Sequence, residues 1–410
     1  MEHFTDLSKE LNALIDRQTK KAHGIFFTPR TYRQQVLESV SSLSARNPLS
    51  VLEPSFGSGE FIMDTLVMFP KAHITGVELN PVMYDKVNQK LGSYIPHALT
   101  LMNADFIDFE TDIKYDLIIG NPPYVVKRNT PPQFKNISSG RPNIYCWFIY
   151  KCIQMLNDDG ILAFVIPNSF FNTSYYDLLR TYVVQQCDIR DIIEFDTKKS
   201  DFKETEQTTI GFIVQKRSPG SPPLNTYVVK HGQRIIFNTH YGYIRTMLSS
   251  HPNLESLGVS VKTGSIVWNQ NKQHLTDDAH EGTLLLYSSN IKQGKFSALT
   301  STNNEKKQYI KCNKPTFEGP VILINRGYGN TTYVPTMMFI DDGETVHGFK
   351  KFYAENHVNV IFPKNIESKP KMKQIYDYLC SDKNKDYIAK YTGNGALSKS
   401  EIETMLPIVI

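Results

Sequence analysis

The sequence has no apolar run approaching the roughly 20 residues that span a bilayer. Its opening, MEHFTDLSKELNALIDRQTKK, has no signal-peptide h-region. A membrane partner and secretion are therefore not expected, and cytoplasmic residence is. Cysteine is scarce: five residues, at 146, 152, 187, 312 and 380, with none of the close pairs that a disulfide framework or zinc centre needs. We expect a reduced interior and no metal site. No repeat of fixed period and no long low-complexity tract is present, which excludes solenoids and propellers. Charge of one sign is not in large excess either, with 45 Lys and Arg against 41 Asp and Glu.

What remains is a globular chain of 410 residues, 40% hydrophobic and 11% aromatic, enough for two cores. KRSPGSPPL (216–224) is the best linker by its Pro, Gly and Ser content. Divided there, the charge is uneven: residues 1–224 carry 23 basic against 25 acidic side chains, and residues 225–410 carry 22 against 16. A +6 second half suits a polyanion, and suits ordinary solvated surface equally well. The first half alternates short apolar runs with helical patterns, which predicts an α/β domain with a parallel sheet. The expected strands are 50–54, 73–79, 98–102, 116–120, 161–166, 189–195 and 208–214, and the expected helices 60–68, 81–91, 143–156 and 173–186. Only a polar loop separates the last two strands, so an antiparallel strand is expected at that edge of the sheet.

VLEPSFGSGEF (51–61) reads as strand, glycine turn and helix, a place where a ligand approaches backbone closely. A dinucleotide fingerprint wants a third glycine three residues after Gly59, and Ile62 stands there instead. Glu78, at the end of the next strand, suits ribose hydroxyls. Asp105, after the third strand, suits an adenine amine with Phe106 beside the ring. Adenosine without pyrophosphate fits this set, although acidic residues after strands are often only helix caps. At the fourth strand end, YDLIIGNPPY (115–124) stops on an amide, two prolines and a phenol. Pro122 and Pro123 cannot donate to a ladder, so they end the strand in a stiff turn. Asn121 and the turn carbonyls are left facing the crevice where open α/β sheets bind ligands.

These motifs, in this order, resemble the gamma-class DNA adenine-N6 methyltransferases of restriction-modification systems. GIFFTPRTYRQQVLESV (24–40) is similar to their leading motif; VLEPSFGSGEF, GVELNP and NADF to the cofactor motifs; GNPPY to the catalytic motif; and DFKETEQTTIGFIV (201–214) to the late motif, which carries Phe202. The resemblance implies a Rossmann-like class I sheet that binds S-adenosyl-L-methionine. Its pocket would be drawn from Phe27, Thr28, Glu53, Pro54, Ser55, Gly57, Glu78, Leu79, Asp105, Phe106, Asn121, Pro123 and Phe148. Asn121, Pro122, Pro123, Tyr124 and Phe202 would be catalytic, with Tyr124 and Phe202 flanking a flipped adenine. The implied division is a helical extension over 1–23, a catalytic domain over 24–217 and a largely β target-recognition domain over 218–410.

VVKRNTPPQFKNISSGR (125–141) has four basic residues and no acidic one, and reads as a mobile phosphate-contacting loop built on Lys127, Arg128, Lys135 and Arg141. In the second half, Trp268, Asn269, Gln270, Asn271 and Lys272, with Arg326 and Asn330, are candidate base readers, since amides pair with adenine and arginine with guanine. Amides also sit in turns for local reasons. The expected partner is duplex DNA, bound by a monomer, with any restriction endonuclease a separate chain. An RNA adenine methyltransferase and a protein glutamine methyltransferase remain alternatives, because both share NPPY. Bacterial and viral sources are equally compatible, the protein then lying at the nucleoid or inside a host cell.

Overall fold

The computed structural model describes residues 4–44, 46–92, 98–138, 140–195, 208–299, 305–326, 335–392 and 397–410. Two compact units divide the chain, residues 1–241 and 242–410.

In the first unit, helices α1 (Asp6–Leu14), α2 (Arg17–His23) and α3 (Arg30–Leu43) precede strand β1 (Ser50–Glu53). Then follow α4 (Glu60–Met68), β2 (His73–Glu78), α5 (Pro81–Val87), β3 (Leu99–Asn103), β4 (Tyr115–Gly120), α6 (Tyr145–Met155), β5 (Leu156–Pro167), α7 (Asp177–Gln186), β6 (Cys187–Glu194) and β7 (Thr209–Lys216). They form one sheet in the order β3-β2-β1-β4-β5-β7-β6. The first five strands pair in parallel, as in a class I methyltransferase sheet, and β7 runs antiparallel to both neighbours. The edge placement expected for the antiparallel strand is thus corrected: β7 is inserted between β5 and β6, and β6 is the edge. The burial patterns agree with this placement: the first six residues of β7 are all buried, whereas β6 mixes buried with partly exposed residues.

Each face of the sheet has its own core. Tyr145, Phe148 and Ile149 of α6 and Val183 of α7 pack on one face; Leu11 of α1, Val36 and Leu37 of α3 and Phe61 of α4 pack on the other. Helix α3 owes its docking to Tyr32, Val36, Leu37 and Val40, a helical-period apolar stripe. Helix α5 starts where Asn80 caps Val82 and Met83 and Pro81 fills the first turn.

The first unit continues past 217, the boundary expected for the domain. A hairpin, β8 (Val228–His231) and β9 (Arg234–Phe237), packs Val228 and Phe237 into the α6–α7 core. The 216–224 stretch is pinned rather than loose: Arg217 and the Leu224 N–H both donate to Asp188 Oδ1.

The second unit holds two four-stranded sheets. Val259–Thr263, Val358–Pro363, Val321–Asn325 and Met337–Ile340 make one in that order; Leu275–Thr276, Tyr309–Ile310, Thr283–Leu286 and Phe352–Ala354 make the other. Helices Met372–Cys380, Asp382–Tyr391 and Lys399–Thr404 follow the strands, which make this region largely β as expected. Among the described residues no helix is long and apolar enough to cross a membrane.

Candidate active site

Strand order reverses between β1 and β4, so the crevice at their carboxyl ends is the switch point of the sheet. A cleft of ≈ 370 Å³ lies there. Phe27, Pro54, Ser55, Gly57, Glu78, Leu79, Asp105, Phe106, Asn121, Pro123 and Phe148 line it. Thr28 and Glu53 lie just behind this lining, both buried. Every cofactor candidate is thus in or directly under one cleft. The glycine turn gives the cleft its floor: Gly57 has φ 55°, which a side chain would strain.

Glu78 is buried, and each oxygen accepts one backbone N–H, Oε2 from Gly57 at 2.9 Å and Oε1 from Asn80 at 2.8 Å. Burial pushes its carboxyl up to about 6, against the pull of those N–H groups. Asp105 Oδ1 accepts from the Ile107 N–H at 2.8 Å. The Phe106 ring lies 4.8 Å from that of Phe148. Lys151 stands 5.1 Å from the Phe106 ring and donates to the carbonyls of Phe106 and Ile107, bracing the turn. Glu53 is 2% exposed, and its Oε2 has no partner. Burial first, then the neighbouring Glu78 charge, hold its carboxyl well above the usual range.

Asn121 is held at three of the four hydrogen-bonding sites of its amide. Nδ2 donates to the Phe26 carbonyl and to Thr28 Oγ1, both at 3.0 Å. Oδ1 accepts from the Tyr124 hydroxyl, which also reaches the Val165 carbonyl at 2.9 Å. Burial keeps that phenol well above its usual range, so it remains a donor. The amide therefore has one orientation, with Oδ1 on the side away from Thr28. The Tyr124 ring packs 5.7 Å from Phe26 and edge-on to Tyr145. Phe202 lies outside the described residues.

Sequence reasoning missed the support beneath this turn. Arg33, 2% exposed, donates to Glu60 at 2.6 Å, to Asp64 at 2.6 Å and to the Thr28 carbonyl. Glu60 also accepts from Ser8 and the Thr5 N–H, so the start of α1 is tied to the same network. A charged residue on a helix normally reads as solvated. Its only signal here was a place one turn after FTP, on the buried stripe of α3.

The described residues of the 125–141 loop are anchored by packing, which corrects the expectation of a mobile loop. Phe134 stacks on Trp147 at 5.2 Å and 4°, Ile137 is buried, and the Lys127 N–H donates to the Pro142 carbonyl. Lys127 lines the cleft, and Arg128, Lys135 and Arg141 are exposed.

In the second unit, Trp268 has Lys272 and Lys306 over its ring at 5.5 and 5.2 Å. Lys272 also pairs with Glu305. Asn269, Gln270 and Arg326 are exposed and Trp268 is half-buried. Asn271 spends its amide N–H on the Val267 carbonyl, a turn role. Asn330 lies outside the described residues.

Residues 75–202 match the Eco57I restriction-modification methylase family. These residues form a restriction-modification methylase domain. The chain is 29% identical over 405 residues to the type II methyltransferase M.CvrRI of Paramecium bursaria Chlorella virus XZ-6E, covering 95% of this chain and 98% of that one. It is 37% identical over 226 residues to the modification methylase CviBIII of Paramecium bursaria Chlorella virus NC1A, covering 54% of this chain and 57% of that enzyme, little more than half its length. A solved structure, the methyltransferase subunit of a type I restriction-modification system from Streptococcus thermophilus, aligns with a TM-score of 0.41 at 18% identity over 56% of this chain and 54% of that one. The methylase domain's family match spans β2 to β6 and includes Glu78, Asp105 and the Asn121–Tyr124 turn.

Proposed function

We propose that the protein is a site-specific DNA methyltransferase that uses S-adenosylmethionine to methylate N6 of a flipped-out adenine in duplex DNA. It would act as a monomer and as the modification arm of a restriction-modification system, any endonuclease being a separate chain. The observation that carries this reading is the single orientation of Asn121, clamped by Phe26, Thr28 and Tyr124.

The cleft fits the cofactor on its own chemistry. Glu78 is a fixed carboxylate with lone pairs left for ribose hydroxyls. Asp105 and Phe106 suit an adenine edge and face. Glu53, with a buried oxygen lacking a partner, has room to accept a hydrogen bond from a ligand. When bound, S-adenosylmethionine supplies an electrophilic methyl group on sulfur.

The chain's residues supply the rest. An exocyclic adenine amine is a poor nucleophile because its lone pair is delocalised into the ring. Asn121 Oδ1 and the Pro122 carbonyl, each accepting one N6–H, draw the nitrogen toward tetrahedral geometry and free that pair. Pro122 and Pro123 keep those acceptors from relaxing, and fixed placement does much of what a base would do. Flipping the adenine costs a few kcal/mol. Tyr124 and Phe202 would offset it by stacking, at about 1–3 kcal/mol per base. Lys127, Arg128, Lys135 and Arg141 would contact phosphates, and the second unit would read bases through Trp268, Asn269, Gln270, Asn271, Lys272, Arg326 and Asn330.

The test is to express the protein in a host free of N6-methyladenine and sequence its DNA and RNA for the modified base. Modified adenine at one recurring DNA sequence is expected. Modification confined to RNA, or no modified base at all, would overturn the reading.

A further inference from the structure

A buried glutamate in the second unit lies where three strand ends meet. Glu355 is 1% exposed, between strands Phe352–Ala354 and Val358–Pro363, on the turn that joins the two sheets. Both its oxygens are used within the turn: Oε1 meets His357 Nδ1 at 2.6 Å and Oε2 accepts the His357 N–H at 3.0 Å. Burying an acid without a cation bonded to it is costly. Here the outlay fixes the carbonyl directions of residues 355–357.

Two of those carbonyls hold Arg326, one of the candidate readers. The Arg326 N–H donates to the His357 carbonyl at 2.9 Å, and Arg326 Nη1 to the Asn356 carbonyl at 3.2 Å. On the other side, the loop leading to Trp268 bridges the turn, Ile266 pairing with Glu355 and its carbonyl accepting the Asn356 N–H at 2.8 Å. Gly264 is backbone-to-backbone with the turn: a Cβ there would fall 2.2 Å from the Glu355 carbonyl oxygen. The third strand end arrives where the Glu355 N–H donates to the Leu286 carbonyl, next to Tyr287. Lys306 spans the Trp268 and Tyr287 rings at 5.2 and 5.4 Å. Cations over aromatic faces beside an exposed guanidinium are the means by which proteins stack on and read nucleic acid.

We propose that Glu355 is a positioning residue for sequence recognition: its carboxylate fixes the 355–357 turn on which Arg326 and the Trp268 loop are both seated, so that the two read one stretch of duplex as a unit. This rests on the DNA reading proposed above. The turn does no chemistry, and its loss changes which sequence is methylated rather than how fast.

The experiment measures methylation of a duplex library carrying every single-base change in the recognition sequence, for the full-length wild type, Glu355→Gln, Arg326→Ala and the double variant. Glu355→Gln should relax discrimination about tenfold at the same base pair that Arg326→Ala relaxes. At that base pair the double variant should lose no more than Arg326→Ala alone, because coupled residues are non-additive. In Glu355→Gln, turnover at saturating cognate DNA and the melting temperature should stay within about twofold and a few degrees of wild type. Wild-type discrimination in Glu355→Gln, or additive effects at different base pairs, would overturn the proposal. Should Glu355→Gln fail to fold, His357→Asn removes the ring contact and must give the same relaxed position. If the wild type methylates no DNA sequence, the functional reading itself fails, which is a different result from an active enzyme indifferent to Glu355.

Discussion

At the scale of single residues, Glu78 yields a prediction with a definite sign. Its carboxyl titrates near 6 in the empty fold against 4.5 ordinarily, with burial as the cause. The folded chain thus holds this proton more tightly than the unfolded one. The contribution of Glu78 to stability is most adverse above pH 6 and improves as pH falls towards 4.5. Ribose hydroxyls need the ionised form as acceptor, so cofactor affinity should fall about tenfold between pH 7 and pH 5. Calorimetric titration would show it. Glu78→Gln should bind more weakly at pH 7 and lose the pH dependence, whereas an unchanged slope in that variant would assign the titration to another group. Much of this chemistry was legible beforehand. Glu78, Asp105 and Asn121 stand at strand ends, and strand ends are marked by glycine and proline. Arg33, Glu60 and the Phe26 carbonyl were not, because a buried ion pair on a helix and a backbone acceptor leave no mark on composition or period.

At the scale of elements, the seven strands of the large sheet agree with their apolar runs to within a residue or two, with β5 the exception, while the β8–β9 hairpin was not expected at all. It begins at Leu156 rather than 161, because the polar NDDG segment pairs as an irregular extension beside β4. Periodicity could not tell where β7 would insert, since a run buried on both faces carries no information about its neighbours. The 125–141 loop was misread for a related reason. Basic and proline-rich composition suggested freedom, but two apolar side chains in seventeen residues decide the matter. Phe134→Ala should remove the stack on Trp147 and cost about 3–5 kcal/mol of local stability. Hydrogen exchange across 126–141 should rise and DNA affinity should fall, while cofactor affinity holds. Unaltered exchange in that segment would mean that the stack does not order the loop.

At the scale of the whole molecule, the linker-like stretch at 216–224 marks a surface crossing, and the division lies after Tyr241. Proline and glycine content locates a turn, and does not say whether the chain beyond it returns to the same core. Here it does: Arg180, fully buried, donates to the Ile235 carbonyl in the returning hairpin and to the Phe170 carbonyl. A 1–224 fragment should leave the buried Arg180 Nε without its acceptor, uncover the core that Val228 and Phe237 close, and fail to fold, whereas a 1–241 fragment should fold and bind cofactor, as circular dichroism and calorimetry would reveal. A folded 1–224 fragment would contradict the role given to the hairpin. The central claim is that a clamped Asn121 makes adenine N6 reactive. Its most direct test is single-turnover methylation of a duplex carrying the recognition sequence, wild type against Asn121→Ala, with the product base identified by mass spectrometry. The product should be N6-methyladenine and the rate lower by roughly 10²-fold or more in the variant, with cofactor affinity little changed. A variant that methylates adenine at near the wild-type rate, or a wild type whose product is not N6-methyladenine, would contradict it.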